Sequence, residues 1–168
     1  MLPNWVRRWL YRGKHANRLV RLLNAAQARL AARGLGPSWL VMVEVAGRRT
    51  GKTISFPAVV ADYENERYLV SMLGEDTNWV RNVRASRGRA VLRHGSRKQV
   101  QLREVDVDRR APILRCYLQR APGARAHIPV DYRAPVEAFE QIAGQYPVFH
   151  VIFDDEAAGM GGSRDSRG

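Results

Sequence analysis

The spacing of apolar residues changes period twice along the chain. From Ala16 to Leu30 it is helical: Leu19, Val20, Leu23, Ala26 and Leu30 share a face, with Arg18, Arg21 and Arg29 opposite. Gly34 and Gly36-Pro37 end that helix. From Trp39 the period falls to two. Trp39, Val41, Val43 and Val45 point to one side, which predicts a half-buried strand over 39–46. Further strands are predicted at 53–61 and 67–72, joined by the polar turn Asp62-Tyr63-Glu64-Asn65-Glu66. Another hairpin, 89–93 with 98–107, folds around His94-Gly95-Ser96. A short helix is predicted over 78–85. Beyond Val107 helical spacing returns, with Ile113, Leu114, Tyr117 and Leu118 marking a helix over 109–120. A loop rich in Pro and Gly, a helix near 135–143 and a strand over 148–153 follow. The tail, 155–168, has no apolar anchor from Gly159 onward and is expected to be disordered.

Strands joined in succession by hairpins, with helices at the ends, imply a mainly β, α+β fold: an antiparallel barrel with flanking helices. The chain has 168 residues, enough for one domain. We place that domain at 36–154, preceded by a basic amphipathic helical segment over 1–35.

Charge adds a ligand class. Lys and Arg number 28 against 16 Asp and Glu, a formal net charge of +12. Such a balance attracts anions: phosphorylated cofactors, anionic lipid or nucleic acid. Residues 1–33 hold eight basic side chains, and the first acid is Glu44. Two readings of that segment stand side by side. One is a helix packed on its own domain with a solvated basic face. The other is a peripheral helix on anionic membrane, with Trp5 and Trp9 at the headgroup level. No apolar run reaches the ~18 residues of a membrane span. Arg12, Lys14, Arg18 and Arg21 interrupt any signal-peptide pattern. The single cysteine, Cys116, excludes an internal disulfide and a zinc site on paired cysteines, and a reducing cytoplasmic setting is expected. Cys116 lies on the apolar side of its helix and reads as a small core residue. His15, His94, His127 and His150 are dispersed without metal-ligand spacing, so no metal is expected.

The stretch Gly47-Arg48-Arg49-Thr50-Gly51-Lys52-Thr53 looks at first like a nucleotide-binding P-loop. That motif needs four residues between its first glycine and Gly-Lys-Ser/Thr, and here there are three. It must also open a helix, whereas Ile54-Ser55-Phe56-Pro57-Ala58-Val59-Val60 is strand-like. The anion-binding physics survives. Two glycines let backbone approach an anion, and Arg48, Arg49, Lys52 and the Thr50 hydroxyl cluster around them. A plain solvated basic turn is the competing reading. The second constellation runs from Ser71 to Arg84. A strand enters a glycine turn at Met72-Leu73-Gly74, then Thr77 or Asn78 caps a helix carrying Trp79, Asn82 and Val83 on one face.

Taken together, in this order, these stretches resemble the deazaflavin-dependent nitroreductase branch of the split β-barrel flavin/deazaflavin oxidoreductases. The likeness rests on the Gly-Arg-Arg-Thr-Gly turn, Pro57, and a Gly…Asn-Trp-x-x-Asn segment ending in Arg84. It covers roughly 36–107. Arg109-Arg110-Ala111-Pro112-Ile113-Leu114 and Tyr146-Pro147-Val148-Phe149 look like a common actinobacterial subgroup. The resemblance implies a split β-barrel and a reduced coenzyme F-420 that gives a hydride from its C5 to a bound acceptor such as a quinone or nitro compound. It implies that Arg48, Arg49, Thr50, Gly51 and Lys52 hold the phosphodiester and glutamate tail. Met72, Leu73 and Gly74 would face the ring, with Pro57, Asn78, Trp79, Asn82 and Arg84 completing the binding set. The cofactor would carry the redox chemistry, consistent with the lack of a nucleophile–base pair. Two features depart from the pattern: the family's strand-end lysine is replaced by Met72 or Leu73, and the tyrosine-rich acceptor helix of nitroimidazole-reducing members has no counterpart. Tyr117, Tyr132 and Phe149 are candidates for the acceptor side, and His127 and His150 for proton donation. FMN in the same barrel, or a non-catalytic cofactor or lipid carrier, is the alternative. Nucleic acid is disfavoured, because the basic residues do not alternate with aromatics in a recognisable module.

Overall fold

The computed structural model describes residues 33–154. The helical segment expected over 16–30, its membrane reading and the tail from 155 lie outside the described residues. Six antiparallel strands form a closed barrel in the order β1-β2-β3-β6-β5-β4. They are β1 (Leu40–Ala46), β2 (Thr53–Tyr63), β3 (Glu66–Val70), β4 (Arg89–His94), β5 (Ser96–Glu104) and β6 (Val148–Phe153). Helix α1 (Asn78–Ala85) joins β3 to β4, and α2 (Arg110–Arg120) and α3 (Val136–Glu140) lie between β5 and β6. This is the antiparallel barrel with flanking helices that the strand periodicity implied.

Alternation along the strands separates two cores. Val41, Val43, Val45, Val60, Leu69, Leu92, Val100, Leu102 and Phe149 fill the barrel, where Val80 and Val83 of α1 join them. The neighbouring positions Ala61, Tyr68, Val70 and Val148 face outward and are covered by Ile113, Leu114, Tyr117 and Leu118 of α2 and by Phe139 of α3. One sheet therefore buries side chains on both faces along β2, β3 and β6.

Element ends differ from the periodicity in instructive ways. The β2–β3 turn is tighter than the polar run suggested, because Glu64 and Asn65 both adopt positive φ (50° and 63°) and close a two-residue hairpin. The β4–β5 hairpin is tighter too: His94 pairs with Ser96, and Gly95 alone makes the tip at φ 75°. β5 stops at Glu104, since Asp106 accepts from Arg109 and begins a 3-10 turn. The helix near 135–143 is broken: Gln145 donates to Ile142 in an i to i+3 bond, and a 3-10 turn replaces the last helical residues. Cys116 is half-buried, and burial raises its thiol pKa, which suits a packing residue.

Tyr117 is 4% exposed, and burial pushes its phenol up to about 12. The unfolded chain would ionise it near pH 10, so the neutral phenol stabilises the fold below that pH. That contribution is lost as pH rises from about 10 toward 12, on the order of 2–3 kcal/mol in all. Urea midpoints measured between pH 9 and 12 should fall over that window, and Tyr117→Phe should flatten the fall.

Candidate active site

The β1–β2 hairpin extends beyond the barrel and ends in the basic turn. Gly47 N–H donates to Lys52 carbonyl at 2.8 Å, and Gly51 N–H to Gly47 carbonyl at 2.8 Å. Both positions favour glycine. A Cβ on Gly47 would sit 3.2 Å from the Lys52 carbonyl oxygen, and Gly51 lies at φ 68° with open space beside it. Thr50 turns its hydroxyl inward to accept from the Lys52 N–H at 3.3 Å. The side chains of Arg49 and Lys52 are left exposed, with no acidic partner within salt-bridge distance among the described residues.

α1 holds the third cation of the turn, Arg48. Arg48 donates from its guanidinium to Asn82 Oδ1 at 3.0 Å and to Asn78 Oδ1 at 3.3–3.4 Å, and from its backbone N–H to Asn82 at 3.2 Å. Asn82 is 2% exposed. Two neutral amides thus orient Arg48 without cancelling its charge. The two stretches, 30 or more residues apart in sequence, meet here.

Before α1 the chain makes a compact turn. Ser71 Oγ donates to the Gly74 carbonyl at 2.7 Å and lies 3.1 Å from Thr77 Oγ1. Thr77 is the N-cap residue, as expected, yet makes no side-chain cap bond, because its hydroxyl is engaged with Ser71 and Gly74. Gly74 has φ 87°, and a Cβ there would meet the Gln145 carbonyl oxygen at 3.2 Å. Met72, Leu73 and Gly74 form one wall of a cleft of about 280 Å³, and His127, Gln145 and Tyr146 form the other. Leu73 is 61% exposed there. Trp79 is half-buried between Phe56 and Phe149, with ring centroids 5.4 Å from each.

The amino-acid sequence itself matches a family. Residues 16–137 match the F420H2-dependent quinone reductases. The chain belongs to that family. It is a deazaflavin-dependent oxidoreductase. No curated protein matches the sequence. Among solved structures it is similar to a protein of unknown function from Agrobacterium tumefaciens, at 11% identity and TM-score 0.51, over 75% of this chain and 53% of that one. It is also similar to an F420H2-dependent reductase, at 18% identity and TM-score 0.46, over 68% of this chain and 94% of that one.

Not every residue singled out from this F420H2-dependent quinone reductase sequence reaches the turn or the cleft. Arg84 points to the other side of α1, where it binds Glu104 at 2.6 and 2.9 Å and Glu75 at 2.7 Å. Those hydrogen bonds raise its pKa further and, seen from the other partner, hold the Glu104 carboxyl below its usual range. Pro57 is exposed on β2 opposite Met42 and lines neither turn nor cleft. Tyr117 and Phe149 are core residues, so neither faces an acceptor. Tyr132 is sandwiched by Arg125 and Arg133, whose guanidinium carbons lie 3.7 and 5.0 Å from its ring centroid. His150 bonds Glu66 at 2.8 Å, away from the cleft, whereas His127 lines it. Gln145 and Tyr146 were missed as cleft residues. They come from a loop some 70 residues downstream of Gly74, and the one signal nearby was the Tyr146-Pro147-Val148-Phe149 run, which carried the family resemblance but no site role.

Proposed function

We propose that this F-420-dependent reductase transfers a hydride to a small organic acceptor, a quinone or a nitro compound, seated in the cleft between Leu73 and Tyr146. The observation that carries the reading is the junction of the basic turn with α1. It places three cations, without an acidic partner among the described residues, on a turn bound through Arg48 to the helix that follows the Met72-Leu73-Gly74 turn in the chain. The donor set fits coenzyme F-420, because its tail bears a phosphodiester and several carboxylates, and Arg49 and Lys52 have no competing acid. Arg49, Lys52 and the oriented Arg48 would grip that tail, with Thr50 and Gly51 shaping the turn. Met72, Leu73 and Gly74 would bear on the flat ring, and Asn78, Trp79 and Asn82 would set that wall. Arg84 and Pro57 drop out of the binding set. Bound there, the cofactor supplies the hydride, and the chain's part is to hold, orient and exclude water. Family membership favours this deazaflavin over FMN.

The test is affinity. Each charge-assisted contact contributes about 1.5–3 kcal/mol. Arg49→Ala is therefore expected to weaken binding of oxidised F-420 about ten-fold or more by fluorescence titration. A truncated cofactor without phosphate and glutamates should bind both proteins alike. Equal losses for the two forms would remove the turn from the tail site.

A further inference from the structure

A larger cavity, about 390 Å³, opens on the outer face of the barrel where β3, β5 and β6 meet the start of α2. None of the residues of the basic turn, the strand-end wall or α1 lines it. Its floor is Tyr68, which is only 7% exposed. The phenol ring is held in place by His150, stacked at 5.1 Å between centroids and itself tied to Glu66 at 2.8 Å. Yet the Tyr68 hydroxyl has no hydrogen-bond partner among the described residues and is not among the fully enclosed polar atoms. The ring is buried, but the hydroxyl is open to solvent and free to bond a ligand. It faces the cavity.

Two arginines stand at the same opening. Arg103 and Arg109 both line the cavity, and neither forms an ion pair among the described residues. Burial raises the Tyr68 phenol pKa above its ordinary value, with Glu66 adding to the rise and the nearby Arg109 opposing it, so the hydroxyl keeps its proton to donate. Of the acids on the lining, Glu104 is neutralised by Arg84 and Arg110 at 2.6 and 3.2 Å. Glu64 and Asp106 remain. Arg103 and Arg109 are balanced by Glu64 and Asp106, so the lining has no surplus of positive charge for a phosphate, and an anion here must be held by local bonds from one guanidinium and the Tyr68 hydroxyl. Val105, Pro112 and Ile113 give the cavity an apolar side.

We propose that this cavity is a second ligand site, taking a small organic monocarboxylate whose carboxylate accepts from Tyr68 Oη and is held by Arg109, with its apolar body against Val105, Pro112 and Ile113. The site is separate from the cofactor groove and stands whether or not the acceptor reading holds.

The probe is 3-phenylpropionate, titrated into the full chain by calorimetry and by NMR, with inorganic phosphate as the comparison. Saturable binding at millimolar concentration is expected, with phosphate binding more weakly. Tyr68→Phe removes one hydroxyl and keeps the ring, so its fold should survive, as a thermal melt would verify. It and Arg109→Ala should each weaken 3-phenylpropionate about ten-fold, while F-420 affinity stays unchanged. Arg49→Ala should leave 3-phenylpropionate binding intact. Absence of saturable binding, phosphate binding as tightly as 3-phenylpropionate, or equal binding by folded Tyr68→Phe and Arg109→Ala would each overturn the proposal.

Discussion

Replacing Trp79 with alanine is expected to lower turnover of reduced F-420 with a fixed quinone acceptor about 10²-fold, since small misplacement of reacting groups has effects of that size. The ring fills the space between Phe56 of β2 and Phe149 of β6, 5.4 Å from each, at the start of α1. Its loss leaves a void next to the barrel core and frees the helix that carries Asn78 and Asn82. Those amides are what orient Arg48. The same change should destabilise the fold by about 3 kcal/mol, the lower end for a large aromatic, because Trp79 is only half-buried. Trp79→Phe separates the two effects. It should restore most of the urea midpoint, and turnover should recover with it if packing of the wall is what matters. A folded Trp79→Ala protein with unchanged turnover and F-420 affinity would remove α1 from the site.

Arg110→Ala should have the largest effect on stability away from the site, about 3 kcal/mol. Arg110 is 5% exposed and donates to the carbonyls of Val105, Ala143 and Tyr146 and to Glu104. Removing the guanidinium orphans buried acceptors on both sides of the α2 start. Glu104 in turn joins Arg110 to Arg84, and Arg84 joins Glu75. This chain of charges links α2 and the Tyr146 loop to α1 and the turn before it, so it braces both walls of the cleft. The Glu104 carboxyl is held below its usual range, first by its bond from Arg84. Its stabilisation is therefore present above the unfolded-state pKa and lost as pH falls through the folded value. Urea midpoints should drop on acidification in the parent, and Glu104→Gln should blunt that drop. An Arg110→Ala midpoint within error of the parent would show that the carbonyls find other partners.

How much was legible beforehand follows from range. Helix α1 over 78–85 and strand β6 over 148–153 coincide with the periodic reading, because a local run of apolar spacing specifies each. The basic turn was legible as well, since glycine freedom and clustered cations are properties of adjacent residues. Arg84 shows where local reading fails. It ends the Asn-Trp-x-x-Asn segment on the same helix as Asn82, and the family resemblance placed it with the binding set. Its partner Glu104 lies 20 residues away on β5, and the helical twist turns Arg84 toward it. Tyr117 and Phe149 fail in the same way: aromatic identity suggested a ligand wall, and burial in two different cores decided otherwise.

Alone, then, the sequence determined the alternation that makes six strands, the glycine-flanked cations that suit an anionic tail, and the absence of a local nucleophile–base pair. These depend on neighbours within a few residues. Only the tertiary structure decided which face each strand turns to the barrel, that Asn78 and Asn82 hold Arg48, that Gln145 and Tyr146 close the cleft opposite Leu73, and that the Tyr68 hydroxyl opens onto a separate cavity. Each of these depends on pairing between segments tens of residues apart, and the closed barrel order, with β6 inserted between β3 and β5, brings those segments together.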